Sequence, residues 1–257
     1  MSGSARAVRD SGVILWRQLV QLPRIPEVLI FALIQPVMFV LLFRYVFGGA
    51  IATPGETYVN FLMPGIFAQT VAFGAVASGI GLAEDLRRGI IDRFRSLPMA
   101  RSAVLVGRTV SDLVRNSAVV LVMFGVGLLV GFRPSGSAAA MALAFGILLL
   151  TSFAFSWIGV VIALSMKTVE AVQSAGFIWL FPLTFASSAF VPTQSMPGWL
   201  QAFAENQPFT QVVNAVRRLM LGLPVGNYVW LSLAWMLGIL AVMVPLATRQ
   251  YRRRTAF

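Results

Sequence analysis

EDLRRGIIDRFRSLPMARSAVLVGR, residues Glu84 to Arg108, is the long charged interruption in an otherwise apolar chain. Apolar runs flank it on both sides, so its reading decides what the rest of the chain is. Within it Leu86, Ile90, Phe94 and Leu97 recur at helical spacing with Ile91 beside them, while Arg87, Arg88, Arg93 and Arg95 take other faces. Pro98 stops the turn. The pattern predicts a short amphipathic basic helix on the water side of a membrane, able to lie on lipid or to dock against a soluble partner.

Composition makes the membrane the solvent. Of 257 residues, 58% are hydrophobic and 11% charged, with a mean hydropathy of +0.82, far more apolar surface than a soluble domain of this length can bury. The net charge of +11 comes from arginines placed beside the apolar runs, where they set orientation. No basic face is joined to an aromatic platform, so nucleic acid is not an expected partner. The absence of Cys and His removes disulfides, thiolates, imidazole bases and the common zinc sites.

Working outward from the charged stretch, the run before it, 61–83, is a span carrying Gly74, Ala75, Ala77, Ser78, Gly79 and Gly81, small residues that let another helix approach closely. Ahead of that, 28–47 is a first span near the required 20 or so residues, with Gln35 and Pro36 predicting a kink. Ala50-Ile51-Ala52 has the look of a cleavage site, but the run before it is longer than a signal peptide's apolar region. Residues 6–24 read as an interfacial helix, with Val8, Leu15, Trp16, Leu19 and Leu22 on one side and Arg6, Arg9, Arg17 and Gln21 on the other.

After the charged stretch, 104–132 is helical throughout, yet its first half holds Arg108, Asp112, Arg115 and Asn116. A charge at the bilayer centre costs roughly 2.5–3.5 kcal/mol even on a lenient scale, so this half is expected to protrude into the cytosol, with Arg108 and Asp112 spaced to pair. A five-residue turn, 133–137, leads into the span 138–165, antiparallel to its predecessor. The fifth span, 172–191, contains Pro182. In 192–227 two short amphipathic pieces follow, one around Trp199, Leu200 and Phe203 and one around Val212, Val213, Val216, Leu219 and Met220, separated by Asn206-Gln207-Pro208. Each is shorter than a bilayer is thick and reads as interfacial or half-inserted. A sixth span, 228–247, precedes a basic tail.

Placing the N-terminus inside puts fifteen of the twenty Lys and Arg on the cytoplasmic side, so both termini and the stretch from Glu84 are expected to be cytoplasmic, in the inner membrane. The chain shows no enzyme constellation. None of its nine carboxylates is placed where a proton relay or metal site would need it, its serines lack an evident base, and no intramembrane ion pair is expected. Lys167-Thr168 is no phosphate-cradling loop, since Met166 stands where that loop requires glycine. No catalytic or metal site is expected.

Six spans, a cytoplasmic basic helix and an interfacial N-terminal helix suggest a pathway whose motion is imposed from outside. LRRGIIDRFRSLPMARSAVLVGR, and VPTQSMPGWLQAFAENQPFTQVVNAVRRLMLG from Val191 to Gly222, resemble the permease subunits of type-2 ATP-binding-cassette exporters, in particular the daunorubicin-resistance type. The resemblance covers nearly the whole chain. It implies an all-α integral membrane domain, 1–257, with six transmembrane helices, an N-terminal interfacial helix, a cytoplasmic coupling helix at 84–98 and two short re-entrant outer helices before the last span.

The resemblance further implies a homodimer or a pair with a similar subunit, each permease resting on a separate ATP-binding-cassette protein that holds the ATP and Mg, with no cofactor in this chain. It assigns docking on the ATPase to Glu84, Leu86, Arg87, Arg88, Ile90, Ile91, Arg93, Phe94 and Arg95, with Glu84 pairing a base near the N-terminal helix. It places Trp199, Phe203, Asn206, Gln207, Pro208, Phe209 and Arg217 in an outer gate. A substrate path would run between two subunits along the first, second and fifth spans, with Gln35, Phe39, Gln69, Thr70, Phe73, Phe181, Thr184 and Ser188 as candidates. The expected function is ATP-driven export of an amphipathic drug, lipid or glycoconjugate through a membrane-lipid environment. The alternative is a membrane scaffold that recruits a soluble partner through its basic loop without translocation.

Overall fold

Apolar runs without interior polar breaks fold as helices because that state bonds every backbone N–H and C=O within the segment. The computed structural model describes residues 26–51, 53, 56–88 and 101–254, the side chains of 26–32, 101–108 and 252–254 excepted. In chain order the helices are α1 (Pro26–Leu41), α2 (Tyr58–Arg87), α3 (Arg101–Val130), α4 (Ala138–Ser165), α5 (Val169–Phe185), α6 (Gly198–Asn206), α7 (Pro208–Met220) and α8 (Tyr228–Arg254). A π-helical turn, Leu42–Phe47, extends α1, and a 3₁₀ turn, Thr193–Ser195, precedes α6. The described residues contain no strand.

Among the described residues four helices are long and apolar enough to cross a membrane: Tyr58–Arg87, Thr109–Val130, Ala138–Ser165 and Tyr228–Tyr251. Two further apolar helices, Leu33–Phe47 and Val169–Phe185, are shorter. This is a multi-pass membrane protein, and its outer surfaces agree. Leu129 on α3, Ile178 on α5 and Trp230 on α8 are each more than 70% exposed, a state that hydrocarbon favours and water does not.

The helix α2 is the centre of the bundle, packed on α1, α3, α4, α5 and α7. Residues Leu62 to Ala72 are buried without interruption, so here the chain faces protein on all sides. The glycine-rich face lets α4 come close. A Cβ on Gly79 would lie 2.8 Å from the Gly159 carbonyl oxygen, and one on Gly159 would lie 2.5 Å from that of Ala75. At this crossing the two backbones touch, as small-residue interfaces allow.

Local chemistry explains where helices begin. Ser137 accepts from the Ala140 N–H at 3.2 Å and starts α4. Thr168, set aside above as a phosphate-loop residue, accepts from the Ala171 N–H at 3.1 Å and caps α5.

Two expectations are corrected. The fifth apolar run is helical to Phe185, and 186–191 is a series of turns, because a distant side chain takes the terminal carbonyls of α5, as described below. In the first half of the third run Thr109, Ser111, Asp112 and Asn116 are buried within the bundle. Residues 84–87 complete α2, with Arg88 as its C-cap, so no separate helix begins at Glu84. The interfacial helix at 6–24 and most of the stretch after Arg88 lie outside the described residues.

Candidate functional site

Among the described residues two polar regions stand out in the apolar bundle. The first is a cavity of about 260 Å³ between α1, α2, α3 and α5. Gln35 and Pro36 come from α1, Gln69, Thr70, Phe73 and Ala77 from α2, Arg115 and Asn116 from α3, and Phe177 from α5. Four of the substrate-path candidates, Gln35, Gln69, Thr70 and Phe73, thus share one wall system. Gly74 makes room for it, because a Cβ there would lie 2.5 Å from the Asn116 amide.

The polar groups of this cavity are unequally satisfied. Thr70 Oγ1 donates to the Ile66 carbonyl at 2.7 Å, a bond within its own helix. Asn116 Nδ2 donates to Ser152 Oγ on α4 at 2.8 Å. Arg115 pairs with Asp112 at 3.1 Å, both largely buried, so the described ion pair of Asp112 is with Arg115, and the side chain of Arg108 lies outside the described residues. This pair, set on an apolar helix, was not expected. Gln69 is 3% exposed and its Nε2 has no hydrogen-bond partner.

A file of phenylalanine rings leads from the cavity. Phe73 touches Phe177 and Phe181, Phe181 stacks on Phe185 at 5.5 Å, and Phe185 stacks on Phe190 at 5.2 Å. Phe39 on α1 and Phe43 in the π-helical turn join at Phe190. Phe39 and Phe181 therefore sit on a continuous aromatic track, with Phe181 and Phe185 about 40% exposed along it. Thr184 and Ser188 are placed elsewhere. The Thr184 hydroxyl donates to the Leu180 carbonyl at 2.9 Å, and Ser188 Oγ donates to Asn214 Oδ1 at 2.9 Å.

The second polar region is the cap built from 186–222. Gln207 terminates one helix and begins another: its Nε2 donates to the Leu183 and Ala186 carbonyls at the end of α5, while its Oε1 accepts from the Phe209 N–H at the start of α7. This is the side chain that ends α5 early. Arg217 is 7% exposed. It donates from Nε to the Phe61 carbonyl at 2.9 Å, from Nη1 to Asn214 Oδ1 at 2.9 Å and from Nη2 to the Ser188 carbonyl at 2.6 Å, with its guanidinium 3.8 Å from the Phe61 ring centre.

Ten of the thirteen residues of α7 are buried, and it packs against α2, α4, α6 and α8. Its far end is covered by the α3–α4 turn, where the N–H groups of Ser135 and Gly136 donate to the Met220 carbonyl. Gly136 cannot carry a side chain, as its Cβ would lie 2.1 Å from the Leu219 carbonyl oxygen. Gly222, at φ +65°, supplies the left-handed residue that closes the helix. Of the outer-gate candidates, Gln207, Phe209 and Arg217 are buried and Pro208 is the first residue of α7. Asn206 Nδ2 donates within α6 to the Ala202 carbonyl. Trp199 and Phe203, four apart on α6, are 76% and 48% exposed.

Of the docking set, Glu84, Leu86 and Arg87 form the last turn of α2. Glu84 pairs with Arg88 at 3.5 Å on an exposed surface, a contact of little energetic weight. Leu86 and Arg87 border a cleft with Lys167, Thr168 and Val169. Ile90, Ile91, Arg93, Phe94 and Arg95 lie outside the described residues.

Arg115, Asn116, Phe177 and Asn214 were missed as site residues. The signal existed for α3, where Thr109, Asp112 and Asn116 repeat at helical spacing and mark one polar face. Asn214 carried none, since its partners are 26 residues away and beside it on the helix.

Comparison with known proteins places this architecture. Residues 10–221 match the family model described as ABC-2 type transporter. The chain is 35% identical, over 98% of its length and 90% of the relative's, to the daunorubicin resistance ABC transporter permease protein of Streptomyces coeruleorubidus. It is 27% identical, over 86% of its length and 80% of the relative's, to a protein of Mycobacterium tuberculosis named as a probable doxorubicin resistance ABC transporter permease.

Proposed function

The chain belongs to the ABC-2 type transporter family, and from that premise we propose that it is the translocating subunit of an ATP-driven exporter of amphipathic drugs, lipids or glycoconjugates. Likeness to a resistance permease over nearly the full chain carries the proposal. Hydrolysis of ATP belongs, in this reading, to a separate ATP-binding-cassette protein, and a second permease subunit, identical or similar, completes the pathway.

In this reading six segments cross the cytoplasmic membrane. α1 with its π-helical extension and α5 with the turns after it join the four longer helices, and both termini face the cytoplasm. The α6–α7 pair enters from the outer face. Irregular backbone at membrane depth requires protein around its free polar groups, and the two-ended capping by Gln207 and the 133–137 turn supports that placement. The basic end of α2 and the stretch through Pro98 dock on the ATPase. Cargo moves along the cavity and the aromatic track.

The test is coexpression with the cognate ATP-binding protein. Arg93→Glu and Phe94→Asp are expected to reduce its co-purification at least tenfold and to abolish ATP-dependent transport in proteoliposomes. Unchanged recovery and transport in both variants would remove the coupling assignment. Full recovery of the partner without ATP-dependent movement of any tested drug or lipid would favour the scaffold.

A further inference from the structure

We propose that the cleft between the end of α2 and the α4–α5 turn binds the head group of an anionic phospholipid of the inner leaflet, with Arg87 and Lys167 holding its phosphate. The leaflet rests on the orientation proposed above; the binding does not. The cleft has a volume of about 160 Å³, roughly half of the 300 Å³ or so at which drug-sized pockets begin, so it takes a head group and leaves acyl chains outside. Its charged lining residues are Arg87 from α2 and Lys167 from the turn, and Leu86, Met166 and Val169 add apolar surface beside them. The docking test above turns on Arg93 and Phe94 and is independent of this cleft.

Charge selects the ligand class. No carboxylate lines the cleft, and among the described residues neither Arg87 nor Lys167 has a hydrogen-bond or ion-pair partner. Arg88, one residue on, is instead paired with Glu84 at 3.5 Å. Thr168 Oγ1 accepts from the Ala171 N–H, which leaves its own proton to donate. An amine would meet two like charges and a neutral oxygen would balance neither, whereas a phosphate brings both the charge and the acceptors that a guanidinium and an ammonium take. Position then selects the source. The 28 residues of α4 extend about 42 Å at the rise of a helix, which matches the roughly 40–45 Å of a bilayer with its head-group layers. The turn after Ser165 therefore emerges among lipid phosphates. A soluble anion gains nothing from Leu86, Met166 and Val169, while the glycerol backbone of a lipid covers them. Basic pockets between spanning helices on the cytoplasmic side hold anionic head groups in other membrane proteins.

Native mass spectrometry of the full chain in detergent tests this, with dioleoyl phosphatidylglycerol and dioleoyl phosphatidylcholine as probes that share their chains and differ in net charge. Phosphatidylglycerol is expected to bind about thirtyfold tighter, at about fivefold for each of the two cations. Arg87→Gln and Lys167→Gln should each lower that preference about fivefold; both residues are exposed, so their loss leaves the packing intact. Arg249→Gln is the control. It removes an exposed charge of α8 that does not line the cleft but lies at the same end of the bundle, next to the contact of Gln250 with Ser165, and it should leave the preference unchanged. Equal affinities for the two lipids, or a preference that survives both cleft variants, would overturn the proposal. So would an equal loss in Arg249→Gln, which would assign the preference to the diffuse field of the basic end. Inorganic phosphate bound as tightly as phosphatidylglycerol would overturn the lipid source. Loss of the co-purifying ATP-binding protein in Lys167→Gln, with the lipid preference retained, would give the cleft to that protein instead. A lipid preference without ATP-driven transport keeps the site and tells against the exporter reading alone. ATP-driven transport without the preference does the reverse.

Discussion

The cap at 186–222 and the cavity beside α2 are both polar islands in an apolar bundle, but they are finished differently. In the cap, Arg217 meets two carbonyls, an amide and a ring, and Gln207 caps two helices at once. In the cavity, Gln69 Nε2 has no partner, and Arg115, paired with Asp112, borders open space. A fully satisfied buried network rigidifies its surroundings, whereas an unpaired buried polar group costs stability. The cap therefore contributes to holding the fold, and the Gln69 amide does not.

Substitutions that break this contrast should rank accordingly in thermal unfolding of the solubilised protein. Arg217→Met leaves the Phe61 and Ser188 carbonyls and Asn214 short of donors at once, and about 4 kcal/mol of destabilisation is expected from those combined losses. A loss under about 1 kcal/mol would show that water replaces the guanidinium and that the cap is looser than its geometry. Gly159→Val pushes a branched side chain into the Ala75 carbonyl; overpacking of this kind costs about 2–3 kcal/mol, and the melting temperature should fall by several degrees.

Gln207→Ala removes both caps and should cost about 2 kcal/mol, with increased hydrogen exchange at the N–H groups of Phe209 and its neighbours as the local signature. Gln69→Met is expected to change stability by less than about 1 kcal/mol, in the stabilising direction, because it replaces an unpartnered buried amide with an apolar chain of similar length. A loss near that of Gln207→Ala would mean that the cavity amide is structurally bonded and that the contrast is false.

The sequence made the bundle readable where one run of residues carried the whole signal. The bounds of α4, Ala138–Ser165, follow from an apolar run between a serine cap and a polar loop. The break at Gln207 follows from the proline after it, and the close approach of α2 to α4 follows from Gly79 and its small neighbours. What escaped depended on partners distant in sequence. Nothing local to Phe185 announces the end of α5, since the amide that ends it belongs to Gln207, 24 residues after the carbonyl it takes. Polar residues of α3 suggested the cytosol because arginine and aspartate usually seek water; the sequence could not show that Asp112 and Asn116 are buried in the bundle, Asn116 in the room that Gly74 leaves. Thr70 and Thr184 show the converse, hydroxyls in apolar helices that bond within their own helix.

The crossing of α2 on α4 at Gly79 and Gly159 also has a mechanical meaning. Two smooth cylinders meeting backbone to backbone carry no interlocking side chains at that point, so the contact resists approach more than tilt. Gly79 lies eight residues before Arg87 and twenty-one after Tyr58, arms of about 12 Å and about 32 Å at the rise of a helix. A rigid α2 rocking on this fulcrum would convert a displacement at its arginine end into one about two and a half times larger, and opposite in direction, at the end beside the cap. Spin labels at both ends of α2, referenced to α4, would read that ratio directly, and equal displacements would show that the rod bends instead.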